Sequence, residues 1–356
     1  LPSYDKSYSA RSPLGITVVI TSFKDQGLIL NCVESVLRSR NSKPEIVVVD
    51  CMSRDLGRIL NERFKDSVRL VQLDSDVGVA EQRNIGFRNC AEDSKFVLFL
   101  DNDTEVESEA IERLAVAAAQ DYQCSIFQPR IVSYSDRAKT LEMGLTSNIF
   151  GIPKPNRVVG VEPFFASGSG MLVRTDVLHA TGGFDPAFYF GAEELDLIWR
   201  ARLLGHRIRT VPEAVVYHKM EGTRKRLSAD RLYLGLRNTI RMQLKNYGCP
   251  INLLITFLFI ARSAIEGAVL LFVSKALGSF KDNVAFIVMG KNNFPDIAVK
   301  FLSAISWNLR NLKDTFAQHA RIQSTRIVGD RMILSAMKKN DFIYISPAYK
   351  AGSSAH

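Results

Sequence analysis

The chain has 356 residues, 46% hydrophobic and 23% charged, and carries a formal charge of +9. That length buries a large core and holds one large domain or two, and the ordinary composition argues against a disordered or fibrous chain. The excess of cations points to nucleic acid, an anionic membrane surface or a phosphorylated substrate, with a merely soluble basic surface as the plainer alternative.

In chain order, residues 16–20 form a β-branched apolar run that predicts a strand, and 28–37 have helical spacing. The pattern repeats, with strands over 45–50, 68–72 and 96–100 and helices over 56–64 and 79–90. Residues 105–119 predict a helix, acidic at its start and then alanine-rich, and 125–131 a fifth strand. Strands separated by helices of about ten residues imply βαβ units, hence an α/β fold with a mostly parallel, doubly wound sheet. Residues 133–162 hold Gly144, Gly151, Gly160, Pro153 and Pro155 and read as a loop or hairpin region able to cover a ligand. A second ordered block follows: 166–174 leads into a helix near 176–180, 182–186 is a turn, 193–204 is a helix ended by Gly205, and 208–211 and 214–217 are short strands.

Beyond Lys219 the character changes. Arg224, Lys225 and Arg226 open a basic stretch that continues with Arg231, Arg237, Arg241 and Lys245. Residues 251–261 and 267–273 are apolar, and Arg262 and Glu266 between them are spaced to pair on one helix face. The length tempts a membrane span, but the central charges favour a helix lying in the membrane interface, supported by the cations; a core or dimer helix is the alternative. Residues 284–289 and 297–307 add apolar helical material. The organisation read from this is a tail over 1–15, an α/β domain over 16–222 and a basic, apolar helical region over 223–356.

The most informative stretch is Phe96-Val-Leu-Phe-Leu-Asp-Asn-Asp-Thr104. Five apolar residues run into two carboxylates, Asp101 and Asp103, at the carboxyl end of an expected buried strand, where open parallel sheets bind ligands. Two like charges side by side call for a cation, and hard oxygen ligands suit magnesium or manganese, unless this is simply a solvated strand end. Asp50 ends the second strand and could accept from a nucleobase N–H or a ribose hydroxyl, while Asp55 could merely cap the next helix. Arg83 could reach a diphosphate. Glu193, Glu194 and Asp196 open a helix; one of them could be a general base, or all three could answer the helix dipole. His218 would complement two aspartates in a mixed nitrogen and oxygen site. The five cysteines are scattered, with no C-x-x-C, which argues against a disulfide scaffold or zinc site and fits a reducing compartment. Residues 1–12 are polar and give no signal-peptide pattern, and the lack of an initiating Met suggests a start that is trimmed or not shown.

Together and in this order, these segments resemble an inverting glycosyltransferase of the GT-A, family 2 type, from about residue 16 to 218 and more loosely to 247. The most specific part is 168–218, with Gly182-Gly-Phe-Asp185, Glu193-Glu-Leu-Asp-Leu197, Trp199-Arg-Ala-Arg202, Gly205, Pro212-Glu-Ala214 and His218. This part is similar to the rhamnosyl- and galactofuranosyltransferase branch. The resemblance implies a nucleoside-diphosphate sugar donor, UDP- or dTDP-type rather than GDP-type. Asp50 would contact the base, with Thr21, Ser53, Arg83, Asn84, Asn102 and Asp101 around the donor. Asp101 and Asp103 match the family's Asp-x-Asp for Mn2+ or Mg2+, and His218 completes the metal site. Where the family has Glu-Asp this chain has Glu193-Glu194, so the base falls on Glu194 with Glu193 as its rival. Gly168, Asp196 and Trp199 fall on the acceptor side. Thr21-Ser-Phe-Lys-Asp25 and Cys51-Met-Ser53 depart from the common family spellings, which leaves the base identity open.

The expectation is an enzyme of cell-surface polysaccharide or glycoconjugate synthesis, peripheral on the cytoplasmic face of the membrane. Its acceptor would be a glycan, lipid-linked, with a homo-oligomer possible and no nucleic-acid partner. The rivals are a haloacid-dehalogenase-type phosphatase with Asp101 as nucleophile, and an inactive nucleotide-sugar-binding protein. A sugar nucleotidyltransferase would need a glycine-rich loop that residues 21–27 lack.

Overall fold

Three β-branched or aromatic runs set the centre of the fold. Val18 to Ile20, Val47 to Val49 and Val97 to Phe99 are wholly buried. Segments buried on both faces can only be interior strands, and they are: β1 (Ile16–Phe23), β2 (Glu45–Cys51) and β4 (Phe96–Asp101). With β3 (Arg69–Leu73) they form a parallel set in the order β3-β2-β1-β4. The chain crosses between them through α1 (Gly27–Leu37), α2 (Leu56–Phe64) and α3 (Gly78–Arg88). The computed structural model describes residues 15–220, 231–276 and 294–337.

This half matches the doubly wound expectation; the other half makes the sheet mixed. β10 (Gly170–Arg174) inserts antiparallel between β4 and β6 (Cys124–Ser133). β11 (Arg207–His218) runs parallel to β6, and β5 (Thr104–Val106) closes the edge antiparallel to β11. Two local expectations change with it. Residues 104–106 are strand rather than the start of a helix, because they pair with Val216, Tyr217 and His218; α4 (Ala110–Gln120) begins only after them. The two strands expected over 208–217 are one strand, interrupted between Val211 and Val215, where Pro212 lacks a ladder donor. The expected loop or hairpin region contains β7 (Thr140–Glu142), paired with β6, and a ribbon of β8 (Leu145–Ser147) and β9 (Pro153–Pro155). The helices α5 (Thr175–Thr181) and α6 (Glu193–Leu203) follow β10.

The described residues divide into two compact units, and 147–152 belong to the second together with 231 onwards. That unit is helical: α7 (Arg231–Asn246), α8 (Ile251–Ala276), α9 (Phe294–Arg310), α10 (Leu312–Thr325) and α11 (Asp330–Ala336). Its polarity is inverted. Arg237, Arg241 and Lys245, expected as surface cations beside the apolar helix, are buried. Arg241 bonds Thr315 Oγ1 at 2.8 Å and Asp314 Oδ2 at 2.6 Å, and the Arg237 guanidinium lies 4.5 Å from the Trp307 ring centroid. On α8, Leu253, Leu254, Phe257, Leu258 and Ile265 are exposed instead, as are Val299, Leu302 and Leu309 on α9. Arg262 and Glu266 do pair, at 2.7 Å. By length and composition α8 contains one stretch, Ile251–Ala268, able to cross a membrane. The basic run 224–226 and the apolar run 284–289 lie outside the described residues.

Candidate functional site

The site forms where β4 leaves the sheet. Asp101 ends β4, and the turn after it is fixed by Thr104 Oγ1, which donates to the Asp101 carbonyl at 2.7 Å. From the other side the Lys219 N–H donates to the Asp103 carbonyl at 2.9 Å. His218, the last residue of β11, lies opposite Thr104 in the ladder. The β5–β11 pairing therefore brings one ligand atom each of Asp101, Asp103 and His218 within 4.8 Å of one another.

The donor set fits a divalent cation. His218 Nε2 is buried and 3.1 Å from Asp103 Oδ1, yet it lacks the angles of a hydrogen bond. An imidazole nitrogen and two carboxylates converging on one point make the mixed set that Mn2+ or Mg2+ accepts. Burial alone would lower the His218 pKa, but Asp103 and Asp101 beside it raise it above the usual value. Burial and the neighbouring Asp103 raise Asp101, against the pull of Arg83.

Arg83 is buried on α3. Its Nη1 donates to Glu193 Oε1 at 3.0 Å, and its Nη2 to Asp101 Oδ1 at 3.1 Å and to the Gly168 carbonyl at 3.0 Å. A Cβ on Gly168 would lie 2.6 Å from Arg83 Nη2, so glycine there is what admits the guanidinium. Arg83 thus ties the end of β4 to the start of α6, rather than standing open for a diphosphate. Glu193 is held by it. Glu194 is held by no such cation: its Oε2 is buried without a partner, and burial followed by the charge of Glu193 pushes its pKa up to about 8.

Several expected ligand contacts turn out to be internal. The Asn84 side chain donates to the Phe184 carbonyl at 2.8 Å and accepts from the Phe184 N–H at 2.9 Å, which closes a loop rather than facing a donor. Asp196 is wholly buried and paired with Arg200 at 2.8 Å. Trp199 is equally buried and stacks its ring edges with Phe164 and Phe165. Neither presents itself to an acceptor. Asp50 is buried and accepts from the Ser53 N–H at 2.9 Å and the Ser53 Oγ at 2.7 Å, so these two residues order the end of β2. Asp55 precedes α2 with a left-handed backbone and no side-chain cap. Thr21 lies opposite Asp101 in the β1–β4 register, and Asn102 is partly exposed between the two aspartates. The sequence reading missed Glu142 and Ser167, which sit near this edge. Nothing marks them in the pattern, since Glu142 falls in the irregular 133–162 segment.

Residues 13–233 match the family described as glycosyltransferase like family 2. The teichoic acid poly(glycerol phosphate) polymerase of Staphylococcus epidermidis is 29% identical over 100 residues, which is 27% of this chain but only 14% of the polymerase. GalNAc-T7, solved with UDP, GalNAc and Mn2+, has a TM-score of 0.55 at 17% identity, covering 70% of this chain and 50% of its own. The mannosyltransferase PcManGT from Pyrobaculum calidifontis, solved with GDP-Man and Mn2+, has a TM-score of 0.53 at 17% identity, covering 89% and 86%. At these identities the two structures share the fold with this chain.

The two-way bond between Asn84 and the Phe184 backbone gives a first prediction. Asn84→Ala leaves a buried N–H and C=O unpaired and should cost about 1–3 kcal/mol in urea unfolding. Its Mn2+ affinity should stay at the wild-type value; a lost Mn2+ affinity with unchanged stability would contradict the structural role.

Proposed function

The chain belongs to glycosyltransferase family 2, and on that premise we propose that it moves a sugar from a nucleoside diphosphate to a hydroxyl of a glycan acceptor, inverting the anomeric carbon. The observation that carries this reading is the division of labour between two adjacent glutamates at the edge that holds the Asp101, Asp103 and His218 cluster. Each glutamate keeps one buried oxygen without a partner, but Arg83 donates to one oxygen of Glu193 and makes no such bond to Glu194, whose pKa burial and the Glu193 charge push up to about 8. Such a carboxylate is suited to take a proton.

Asp101, Asp103 and His218 would hold Mn2+ or Mg2+, which neutralises charge on a departing diphosphate when bound. Glu194 removes the acceptor hydroxyl proton as that oxygen attacks the anomeric carbon from the side opposite the diphosphate. The new glycosidic C–O bond forms as the bond to the diphosphate breaks, and the nucleoside diphosphate leaves. Arg83 holds Glu193 and Asp101 in place through the step, and the enclosed sheet edge limits access of competing water. A uridine or thymidine donor is what the family resemblance implies; Asp50, wholly buried and bonded by Ser53, orders the end of β2 rather than selecting the base.

We place the enzyme peripherally on the cytoplasmic face of the cell membrane, with a lipid-linked acceptor, in cell-surface polymer or glycoconjugate synthesis. Support comes from the apolar side chains exposed along α8 and α9 and from the likeness to a teichoic acid polymerase. A second copy of the chain is the other candidate for that apolar surface.

A panel of nucleotide sugars, with and without Mn2+, tests the activity through release of nucleoside diphosphate. One donor should turn over only with the metal, and Glu194→Gln should lose roughly 10²–10⁴-fold in kcat while keeping donor affinity. No turnover with any donor and a set of lipid-linked acceptors would sink the reading.

The pH dependence follows from the charges around Glu194. Its pKa lies above the unfolded value because burial and Glu193 disfavour the anion, and the base works only above that pKa. Glu193→Gln removes the like charge and leaves Arg83 to favour the anion, and both effects lower the pKa. The acidic limb of kcat/KM, measured at saturating Mn2+, should therefore move to lower pH; a shift upward would assign the limb to another group.

Because Arg237, Arg241 and Lys245 are buried, vesicle binding should depend on apolar contact more than on charge. A Leu254→Glu and Leu258→Glu double variant should reduce co-sedimentation with anionic vesicles more than a rise to about 0.5 M salt does. Loss with salt and not with the substitutions would place the membrane contact elsewhere, and a larger mass by light scattering without vesicles would point to the second copy.

A further inference from the structure

Glu142 is a shielded carboxylate that the proposed chemistry leaves unused. It ends β7 opposite Ile131 of β6, and two residues further along β6, Ser133 lies opposite His218. Ser167 is its polar neighbour. The Ser167 hydroxyl lies 2.9 Å from that of Ser169, and the Ser167 N–H donates to Gln128 Oε1 at 2.6 Å, so this segment is fixed. Between the two serines is Gly168, whose carbonyl receives Arg83. Glu142 therefore stands beside the same edge as Asp101, next to the segment that holds Arg83. Burial raises its pKa, while Ser167, His218 and Arg157 each favour the anion, and His218 in turn feels the charge of Glu142.

Glu142 is not one of the groups that converge on a common point. Its charge nonetheless acts on a cation held there, because Glu142 lies one strand across β6 from Val216, two residues from His218, and the two side chains already feel each other's charge. Carboxylates just outside a ligand set steady a histidine ligand and add to the attraction for the ion. We propose that Glu142 is a positioning residue of the metal centre, an outer carboxylate beside His218 that strengthens divalent-cation binding by Asp101, Asp103 and His218. This rests on the reading of that cluster as a metal site.

The test is Mn2+ titration of the full chain without nucleotide, read from the electron paramagnetic resonance signal of the free ion. Glu142→Gln should weaken Mn2+ binding about tenfold, and Glu142→Asp, which keeps the charge, should recover much of the loss. Thermal midpoints without metal should match wild type, which separates lost charge from lost fold; Glu142→Ser, smaller and neutral, is the second variant if Gln folds poorly. Asp103→Asn is run alongside. Undiminished binding in Asp103→Asn would bring down the metal-site reading itself. Lost binding there with full affinity in Glu142→Gln would overturn only the role of Glu142. Full affinity together with a raised acceptor KM would also overturn it and make Glu142 an acceptor contact.

Discussion

A buried guanidinium holds the candidate site together. Arg83 is almost wholly enclosed, and a charge in that position persists only if its donors are met by anions or carbonyls. It meets Asp101 from the end of β4, Glu193 from the first turn of α6 and the carbonyl of Gly168 just before β10. Three segments far apart in sequence are fixed relative to one another by this requirement. It also runs the other way. Asp101, Asp103, Glu193 and Glu194 would repel one another at a buried edge, and Arg83 offsets part of that repulsion from within.

The two glutamates show how a small difference in partner becomes a difference in chemistry. Both open α6 behind Ala192, whose left-handed backbone starts the helix abruptly. The helix dipole favours both as anions. Arg83 engages one of them, and the other is left with burial and a like charge as its main influences, so its proton is held more tightly. The helix that supplies Arg83 also supplies Gln82, which donates to the Ser22 carbonyl at the end of β1, and Asn84, which locks Phe184. At Gly86 an added Cβ would lie 2.2 Å from Val19 Cγ1, so α3 can lie close on β1 only with glycine there. Close packing of α3 thus sets the depth at which Arg83 enters the site.

The second unit follows different physics. In a water-soluble helical bundle the apolar stripe faces inward. Here α7 turns Arg237, Arg241 and Lys245 inward, where Thr315, Asp314 and Trp307 meet the guanidinium groups, and α8 and α9 turn leucines, an isoleucine, a valine and a phenylalanine outward. Three cations of the stretch read from the sequence as membrane-facing charge, Arg237, Arg241 and Lys245, are in this unit an internal polar framework.

The sequence by itself determined the parallel half of the sheet, because a strand buried on both faces needs a continuous apolar run and residues 18–20, 46–49 and 96–100 supply one. It also determined the acidic pair after β4, the acid-rich start of α6 and the Arg262–Glu266 pair, since all three are local patterns. It did not determine the antiparallel insertion of β10 or the strand character of 104–106, which come from pairing with segments over a hundred residues away in the case of 216–218. Nor did it separate the contacts. Asn84, Asp196 and Trp199 have residue types that suit ligands, and Glu193 and Glu194 are nearly equivalent as letters. Only tertiary packing decided that the first three are consumed by Phe184, Arg200 and the Phe164–Phe165 cluster, and that Arg83 takes Glu193 and leaves Glu194 free. The physical reason is that burial and partner identity are properties of position in space, and they set both the availability and the proton affinity of a side chain.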